Sequence, residues 1–372
     1  DAVVPVEHLE SHALTFLKRG KRSRPRHPFL HNSFVVSRIR KRATKDLLAK
    51  THGLYPGPKE AIEVALASVN HPRSVSLAAE RDAILRLSER PETKQLIRLF
   101  FLQEHAKKHR HVEAEPREIN RVAVIGAGIM GSGIAYWLST RNLPVTLQDI
   151  SDEALAKGHQ SIATLYAKAK ARYVLSATEA ARGLDRIHLA SGPVPLRQCD
   201  LVIEAAVEQL AIKKKIFADL AARSRPDTIL ATNTSALPIH ELAEGLPNPE
   251  RLLGLHFFNP VHRMQLVEVV RTASTSDETL ATGVAFVRRI GKLPVVVRDS
   301  PGFLVNRILM PYLVEAARIF EEGGDPEAID EAMLAFGMPM GPLRLLDEVG
   351  LDVAQHVAQT LAAAFPDRMQ VP

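Results

Sequence analysis

Cysteine is almost missing from this chain: Cys199 stands alone. No disulfide can therefore form within it, a reducing, cytoplasmic setting fits best, and the thiol is expected as a small buried side chain. Long hydrophobic runs are lacking too. None approaches the roughly 20 residues of a membrane span, and no charged-then-apolar leader opens the chain. The opening Asp1-Ala2-Val3-Val4-Pro5 has no methionine, which suggests a processed product or an excised piece. There is no internal repeat and no low-complexity tract, and nothing suggests a metal site. What remains is an ordinary soluble composition, 46% hydrophobic and 24% charged over 372 residues, enough for two or three domains.

The charge is unevenly placed. Residues 1–120 hold 23 Lys/Arg against 14 Asp/Glu, although the whole chain carries only +6. Much of the excess lies between Lys18 and Lys50, in GKRSRPRHPF and VVSRIRKRATK. A nucleic-acid arm, attraction to a phosphate-bearing ligand such as coenzyme A, and a solvated linker all remain open readings. No RNA- or DNA-binding signature accompanies the stretch and no aromatics interleave it for base stacking, so nucleic acid is not expected as a partner.

Three textures follow one another. Residues 1–118 mix helical periodicity, at Ala61–Val69 and Ala78–Leu87, with proline breaks at 25, 28, 56, 58 and 72, and end in a polar linker at Lys107–Arg117. Residues 119–300 alternate short apolar runs with helix-length segments. Val122–Ile125, Val145–Leu147, Leu201–Ile203, Thr228–Leu230, Leu252–Leu255 and Val295–Val297 read as strands buried on both faces. A helical pair is expected over 151–186, between the second and third of them. From residue 301 the strands stop, and Val305–Glu322, Pro326–Ala335 and Val353–Ala364 read as helices. The expected fold class is α/β: a Rossmann-type, doubly wound, mostly parallel sheet, preceded by a helical linker region and followed by an all-helical domain.

The first strand runs into Gly126-Ala127-Gly128-Ile129-Met130-Gly131, and the second ends at Asp149, 18 residues after Gly131. A GxGxxG alone is weak; placed between a strand and a helix it is the dinucleotide fingerprint. Gly126 makes the tight turn, Gly128 admits the pyrophosphate, and Gly131 lets helix and strand pack closely, with the helix N-terminus supplying N–H groups. A carboxylate at Asp149 would bond the ribose hydroxyls and repel a 2′-phosphate, favouring NAD over NADP; the competing reading is a turn aspartate before Ser151.

Alcohol oxidation by a nicotinamide needs a base for the hydroxyl proton. His256, at a strand end in Leu255-His256-Phe257-Phe258-Asn259-Pro260, is the natural candidate, set against a satisfied core histidine. Glu268 sits among apolar residues in Gln265-Leu266-Val267-Glu268-Val269-Val270, so it is expected buried and in need of a partner, His256 or an arginine. Ser235 and Asn306 could bond substrate oxygens; otherwise they are a helix cap before Pro238 and a polar residue inside a helix.

The segments GAGIMGSGIA, IEAAVEQLAIKKKIF, ATNTSALPI, GLHFFNPVHRMQLVEVV, DSPGFLVNRIL and MGPLRLLDEVGLD occur in the order and spacing of one family. Over residues 120 to about 370 the chain resembles the dehydrogenase part of the L-3-hydroxyacyl-CoA dehydrogenases. The resemblance implies NAD-dependent oxidation of L-3-hydroxyacyl-CoA to 3-ketoacyl-CoA in fatty acid β-oxidation. It implies His256 as general base, Glu268 as its orienting partner, and Ser235 and Asn306 as substrate-binding groups. Glu208, Lys213 and Asn233 match positions that contact the cofactor beside Gly126, Gly128, Gly131 and Asp149.

Upstream, DAVVPVEHLE is similar to the tail of a crotonase-type hydratase domain. LLAKTHGLYPGPKEAIEVALASV and PETKQLIRLFFLQEHAKK are similar to the linker of multifunctional fatty acid oxidation proteins, bacterial alpha subunits first and peroxisomal bifunctional enzymes next. That resemblance implies a thiolase subunit as a possible partner and a peroxisomal location as the alternative to the cytoplasm. The hydratase body lies outside this sequence, so neither hydratase nor isomerase activity is expected of it. The chain also ends before the last helices expected of the helical domain. A catalytically silent, NAD-binding scaffold is the alternative function, although His256, Glu268, Ser235 and Asn306 are all intact.

Overall fold

A computed structural model describes residues 8–18, 32–69 and 71–370. The segment GKRSRPRHPF, the breaks expected at Pro25 and Pro28, and most of the opening DAVVPVEHLE lie outside the described residues. The chain divides into two compact units, Asp1–Ile97 and Arg98–Pro372.

The first unit is helical: α1 (Leu9–Lys18), α2 (Ser33–Thr51), α3 (Pro56–Ser68), α4 (Arg73–Ser88) and the first turns of α5 (Pro91–Lys108). The two periodic segments read from sequence fall in α3 and α4, and α3 packs against both α2 and α4. Pro56, Pro58 and Pro72 begin these helices instead of breaking them. Pro56 and Pro58 lie in the first turn of α3 and Pro72 caps α4, where the missing N–H has no intrahelical partner to lose. Within the basic stretch, Arg40 pairs with Glu63 across helices at 3.0 Å and Arg42 lies 4.0 Å from Asp46 along its own helix, as on a solvated surface.

The second unit carries the sheet. In chain order its elements are β1 (Val122–Ile125), α6 (Ile129–Thr140), β2 (Val145–Asp149), α7 (Asp152–Ala171), α8 (Ala177–Asp185), β3 (Ile187–Ser191), β4 (Leu201–Glu204), α9 (Leu210–Arg223), β5 (Ile229–Thr232), α10 (Ile239–Ala243), β6 (Leu252–Phe257), β7 (Leu266–Arg271), α11 (Asp277–Arg289) and β8 (Leu293–Arg298). The strands lie in the order β3-β2-β1-β4-β5-β6-β7-β8. Only β7 runs antiparallel to its neighbour β6. Their connection is a loop too short for the crossover that parallel pairing requires.

Alternate side chains on each strand enter opposite layers. Val122 and Val124 pack with Ile134, Leu138, Ile162 and Val284 on one face. Ala123 and Ile125 pack with Phe217, Leu220, Ile239 and Leu242 on the other. Burial on both faces explains the unbroken apolar runs. One strand had no such signal: β3, the sheet edge beyond β2, buries Ile187 but exposes His188 and Leu189. The helical pair expected over 151–186 is α7 and α8, and β3 follows it before β4.

Beyond the sheet come α12 (Val305–Glu321), α13 (Pro326–Phe336), α14 (Pro342–Val349) and α15 (Leu351–Ala364). Met310, Leu313, Val314, Val357, Ala358 and Leu361 form their core, joined by Ala236 from the loop after β5. Helix α14 was not expected from the sequence. Both carboxylate oxygens of Asp330 on α13 accept its first N–H groups, from Leu343 at 2.9 Å and Arg344 at 3.1 Å.

Candidate active site

The turn between β1 and α6 is shaped by its glycines. Gly126 sits at φ +104°, and a Cβ there would come 2.6 Å from the Ala205 carbonyl oxygen. A Cβ at Gly131 would come 1.8 Å from the Gly126 oxygen, whereas one at Gly128 would meet nothing within 4 Å. Two of the three glycines are thus required by the protein's own packing. The third faces open space at the N-terminus of α6, which no side chain caps. Free N–H groups and the positive helix end make that space fit a pyrophosphate. A further close approach went unread in the sequence: Gly158 of α7 passes the same turn, and a Cβ there would lie 2.7 Å from the Ala127 oxygen.

Asp149 ends β2 beside this turn. Its Oδ2 accepts from the Ala127 N–H at 2.8 Å and its Oδ1 from the Ser151 N–H at 3.0 Å. The residue is therefore a turn aspartate as well as a half-exposed carboxylate. Ser151, not Asp149, caps α7. Each oxygen has accepted one N–H, so lone pairs remain for a ribose.

Across the turn lies a buried ionic network. Lys213 is 1% exposed, and its Nζ donates to both oxygens of Glu204 at 2.7 and 2.8 Å and lies 3.3 Å from Glu208. Glu204, wholly buried at the end of β4, also accepts from the Ala206 N–H and the Thr232 hydroxyl, each at 2.7 Å. Glu208 accepts from the Thr234 hydroxyl and, at 2.8 Å, from the Ser235 N–H. Burial alone would raise the Glu208 carboxyl. Lys213, the Thr234 hydroxyl and the Ser235 N–H together outweigh it and hold the group below its ordinary range. Lys213 lies beneath the surface, where its ammonium reaches only Glu204, Glu208 and the Ala206 carbonyl among the described residues. Asn233 accepts from the Phe257 N–H at 2.8 Å and so ties the end of β5 to the end of β6.

His256 and Glu268 face each other in register on β6 and β7. His256 Nδ1 lies 2.6 Å from Glu268 Oε2. The other carboxylate oxygen accepts from the N–H groups of Leu304 and Val305, each at 2.9 Å, at the start of α12. No arginine contacts Glu268; its partners among the described residues are the imidazole and a helix N-terminus. His256 Nε2 makes no hydrogen bond among the described residues, and the rings of Phe258 and Phe303 lie 4.4 and 5.8 Å away.

Ser235 and Asn306 meet: the Asn306 amide donates to the Ser235 carbonyl at 3.1 Å. Thr234, not Ser235, accepts the turn N–H of Leu237, at 3.1 Å, so Ser235 is not the cap weighed for it, whereas Asn306 is a half-buried polar residue in the first turn of α12. The Ser235 hydroxyl lies 3.4 Å from Glu208. Glu208, Ser235, Asn306, Glu268 and His256 therefore form one connected patch, in which α12 is held at two points. Glu204, Thr232, Thr234 and the backbone of Leu304 and Val305 were not assigned from sequence. A carboxylate closing the apolar run Leu201-Val202-Ile203-Glu204 was the available signal, since it demands a buried partner.

Comparison with known proteins bears on this unit from residue 121 onward. Residues 121–300 match the family model described as 3-hydroxyacyl-CoA dehydrogenase, NAD binding domain, and residues 302–372 match its C-terminal domain. The crystal structure of FadB2 from M. tuberculosis is 38% identical with TM-score 0.67, over 69% of this chain and 91% of that one. The (S)-3-hydroxybutyryl-CoA dehydrogenase PaaH1 of Ralstonia eutropha is 40% identical with TM-score 0.65, over 67% and 89%. The dehydrogenase part of multifunctional enzyme 1 from C. elegans is 27% identical with TM-score 0.54, over 74% and 64%.

Proposed function

The chain belongs to the 3-hydroxyacyl-CoA dehydrogenase family and is an NAD-dependent oxidoreductase, and from that premise we propose that it oxidises L-3-hydroxyacyl-CoA thioesters to 3-ketoacyl-CoA with His256 as the base. The observation that carries this reading is the buried His256–Glu268 pair, 2.6 Å apart. An ionised Glu268 can only accept, so Nδ1 carries the proton and Nε2 keeps its lone pair. Nε2 is the nitrogen without a partner among the described residues, and it takes the substrate hydroxyl proton. NAD, held at the N-terminus of α6, would supply the hydride acceptor for the carbon that bears that hydroxyl.

The imidazolium formed lies against the Glu268 carboxylate, whose other oxygen accepts from two helix N–H groups. Reversal returns the proton from His256 to the ketone oxygen. Ser235 and Asn306, joined through the Ser235 carbonyl, hold the substrate oxygens at the same patch. Asp149 and Gly128 hold the adenosine and pyrophosphate of the dinucleotide, and Glu208, positioned by Lys213, and Asn233 border its other end.

In this reading the chain serves fatty acid β-oxidation as part of a multifunctional protein. Two observations support that step: the linker-like helical segments before residue 120, and similarity to the C. elegans dehydrogenase part. Purified chain mixed with NADH and acetoacetyl-CoA tests the reaction. NADH consumption, faster than with NADPH, is the expected result. A chain that consumes NADPH preferentially, or binds NADH yet leaves the thioester unreduced, refutes the proposal.

A further inference from the structure

We propose that the cavity between the last turns of α5 and the α11–β8 turn is a binding site for a small phosphate-bearing anion, separate from the dinucleotide and acyl sites. The cavity has a volume of about 530 Å³. It is lined by three cations, Lys107, Arg288 and Lys292, and by the amides of Gln103 and Gln265, with no carboxylate in the lining.

The charges are poorly neutralised. Lys107 pairs with Glu104 at 2.7 Å, but Glu104 is shared with Lys108 at 3.6 Å. Arg288 turns Nε and Nη2 to the carbonyls of Ala106 and His109, which are neutral, and its Nη1 has no partner among the described residues. Lys292 is 4% exposed; its ammonium donates to the carbonyls of Val261 and Met264. It also lies 3.9 Å from the centre of the Trp137 ring, with the Arg141 guanidinium 4.2 Å from the same ring.

Burial, then Arg141, push Lys292 down to about 8, so at neutral pH it is still predominantly a cation. Lys292, buried and held only by carbonyls and a ring, lacks a counter-charge, as does the half-buried Arg288 on its two carbonyls; a phosphate supplies that charge with acceptor oxygens for several N–H donors at once. The volume exceeds what a single phosphate fills and lies in the range of small-molecule sites, so a pyrophosphate or a phosphorylated nucleoside is the class that fits.

Trp137 is the only tryptophan of the chain, and it touches Lys292, so its fluorescence reports this cavity. The test is a calorimetric and fluorescence titration with pyrophosphate at constant ionic strength, with NAD present to occupy the α6 N-terminus. Saturable heat and a matching tryptophan change are expected. Lys107→Glu, an exposed substitution that should melt like wild type, and Arg288→Gln should each weaken binding at least about tenfold. A parallel titration with adenosine 3′,5′-bisphosphate assigns the source: tighter binding points to the coenzyme A end, weaker binding to free phosphates, and both support the site. No saturable binding, or wild-type affinity in Lys107→Glu, overturns it. Either failure leaves the dehydrogenase reading intact, because no residue of that reading lines the cavity.

Discussion

Replacing Glu268 by glutamine keeps the size of the side chain and removes only its charge and half of its accepting capacity. The carboxylate accepts three hydrogens, from His256 Nδ1 and from the N–H groups of Leu304 and Val305. A glutamine oxygen can still serve the helix, but its amide nitrogen then meets Nδ1. Two donors cannot face each other at 2.6 Å, so the imidazole moves its proton to Nε2 and no lone pair is left for the substrate. The loss of a positioned general base is about 100- to 10,000-fold in rate, or about 3–5 kcal/mol at the transition state. Initial rates of NADH oxidation with acetoacetyl-CoA should show that fall in kcat, with KM within about threefold, because Glu268 acts through His256 and touches no substrate. The protein should remain folded, less stable by about 1–3 kcal/mol for the weakened charged hydrogen bonds. A Glu268→Gln enzyme with kcat within about threefold of wild type would refute the tautomer argument.

Other expectations concern the cofactor side. Gly131→Ala places a methyl 1.8 Å from the Gly126 oxygen and should displace the turn, costing about 1–3 kcal/mol in thermal unfolding and sharply weakening NADH in a fluorescence titration; wild-type affinity would count against it. Asp149→Ala should weaken NAD and narrow the preference over NADP, read as the ratio of the two kcat/KM values. An unchanged ratio removes Asp149 from cofactor selection. The folded-state carboxyl of Glu208 is lowered, so its stabilising contribution is complete above the unfolded value and is lost as pH falls through the folded one. Unfolding midpoints between about pH 5 and about pH 3 should therefore drop less steeply in Glu208→Gln than in wild type.

Much of this architecture could be read from residue order because burial writes it there. Strands covered on both faces need apolar side chains at every position, and Val122–Ile125 and Leu201–Ile203 show it. The edge strand β3 buries only Ile187, exposes His188 and Leu189 side by side, and carries no such run. Helix α14 has only eight residues, and much of its beginning is supplied by Asp330 from another helix, which no local pattern records. Prolines 56, 58 and 72 read as breaks because the sequence does not show on which side of each a helix lies.

The site divides in the same way. His256 and Glu268 were legible because a polar residue inside an apolar strand has to find a partner. The groups that hold Glu268 on its other side are backbone N–H groups of Leu304 and Val305, which have no letter of their own. Glu204 was within the matched segment, yet its role depends on Lys213 one helical turn into α9, a pairing that only the folded chain displays. Lys213 was matched to a cofactor-contacting position by resemblance alone, and nothing in IKKKIF marks it as the lysine that is 1% exposed.

The central claim, that His256 moves the proton, is most directly tested by measuring NADH oxidation with acetoacetyl-CoA for wild type and His256→Ala side by side, with NADH affinity determined on the same samples. Turnover that disappears in the variant while NADH binds unchanged is the expected result. Equal turnover in the two proteins would contradict the account.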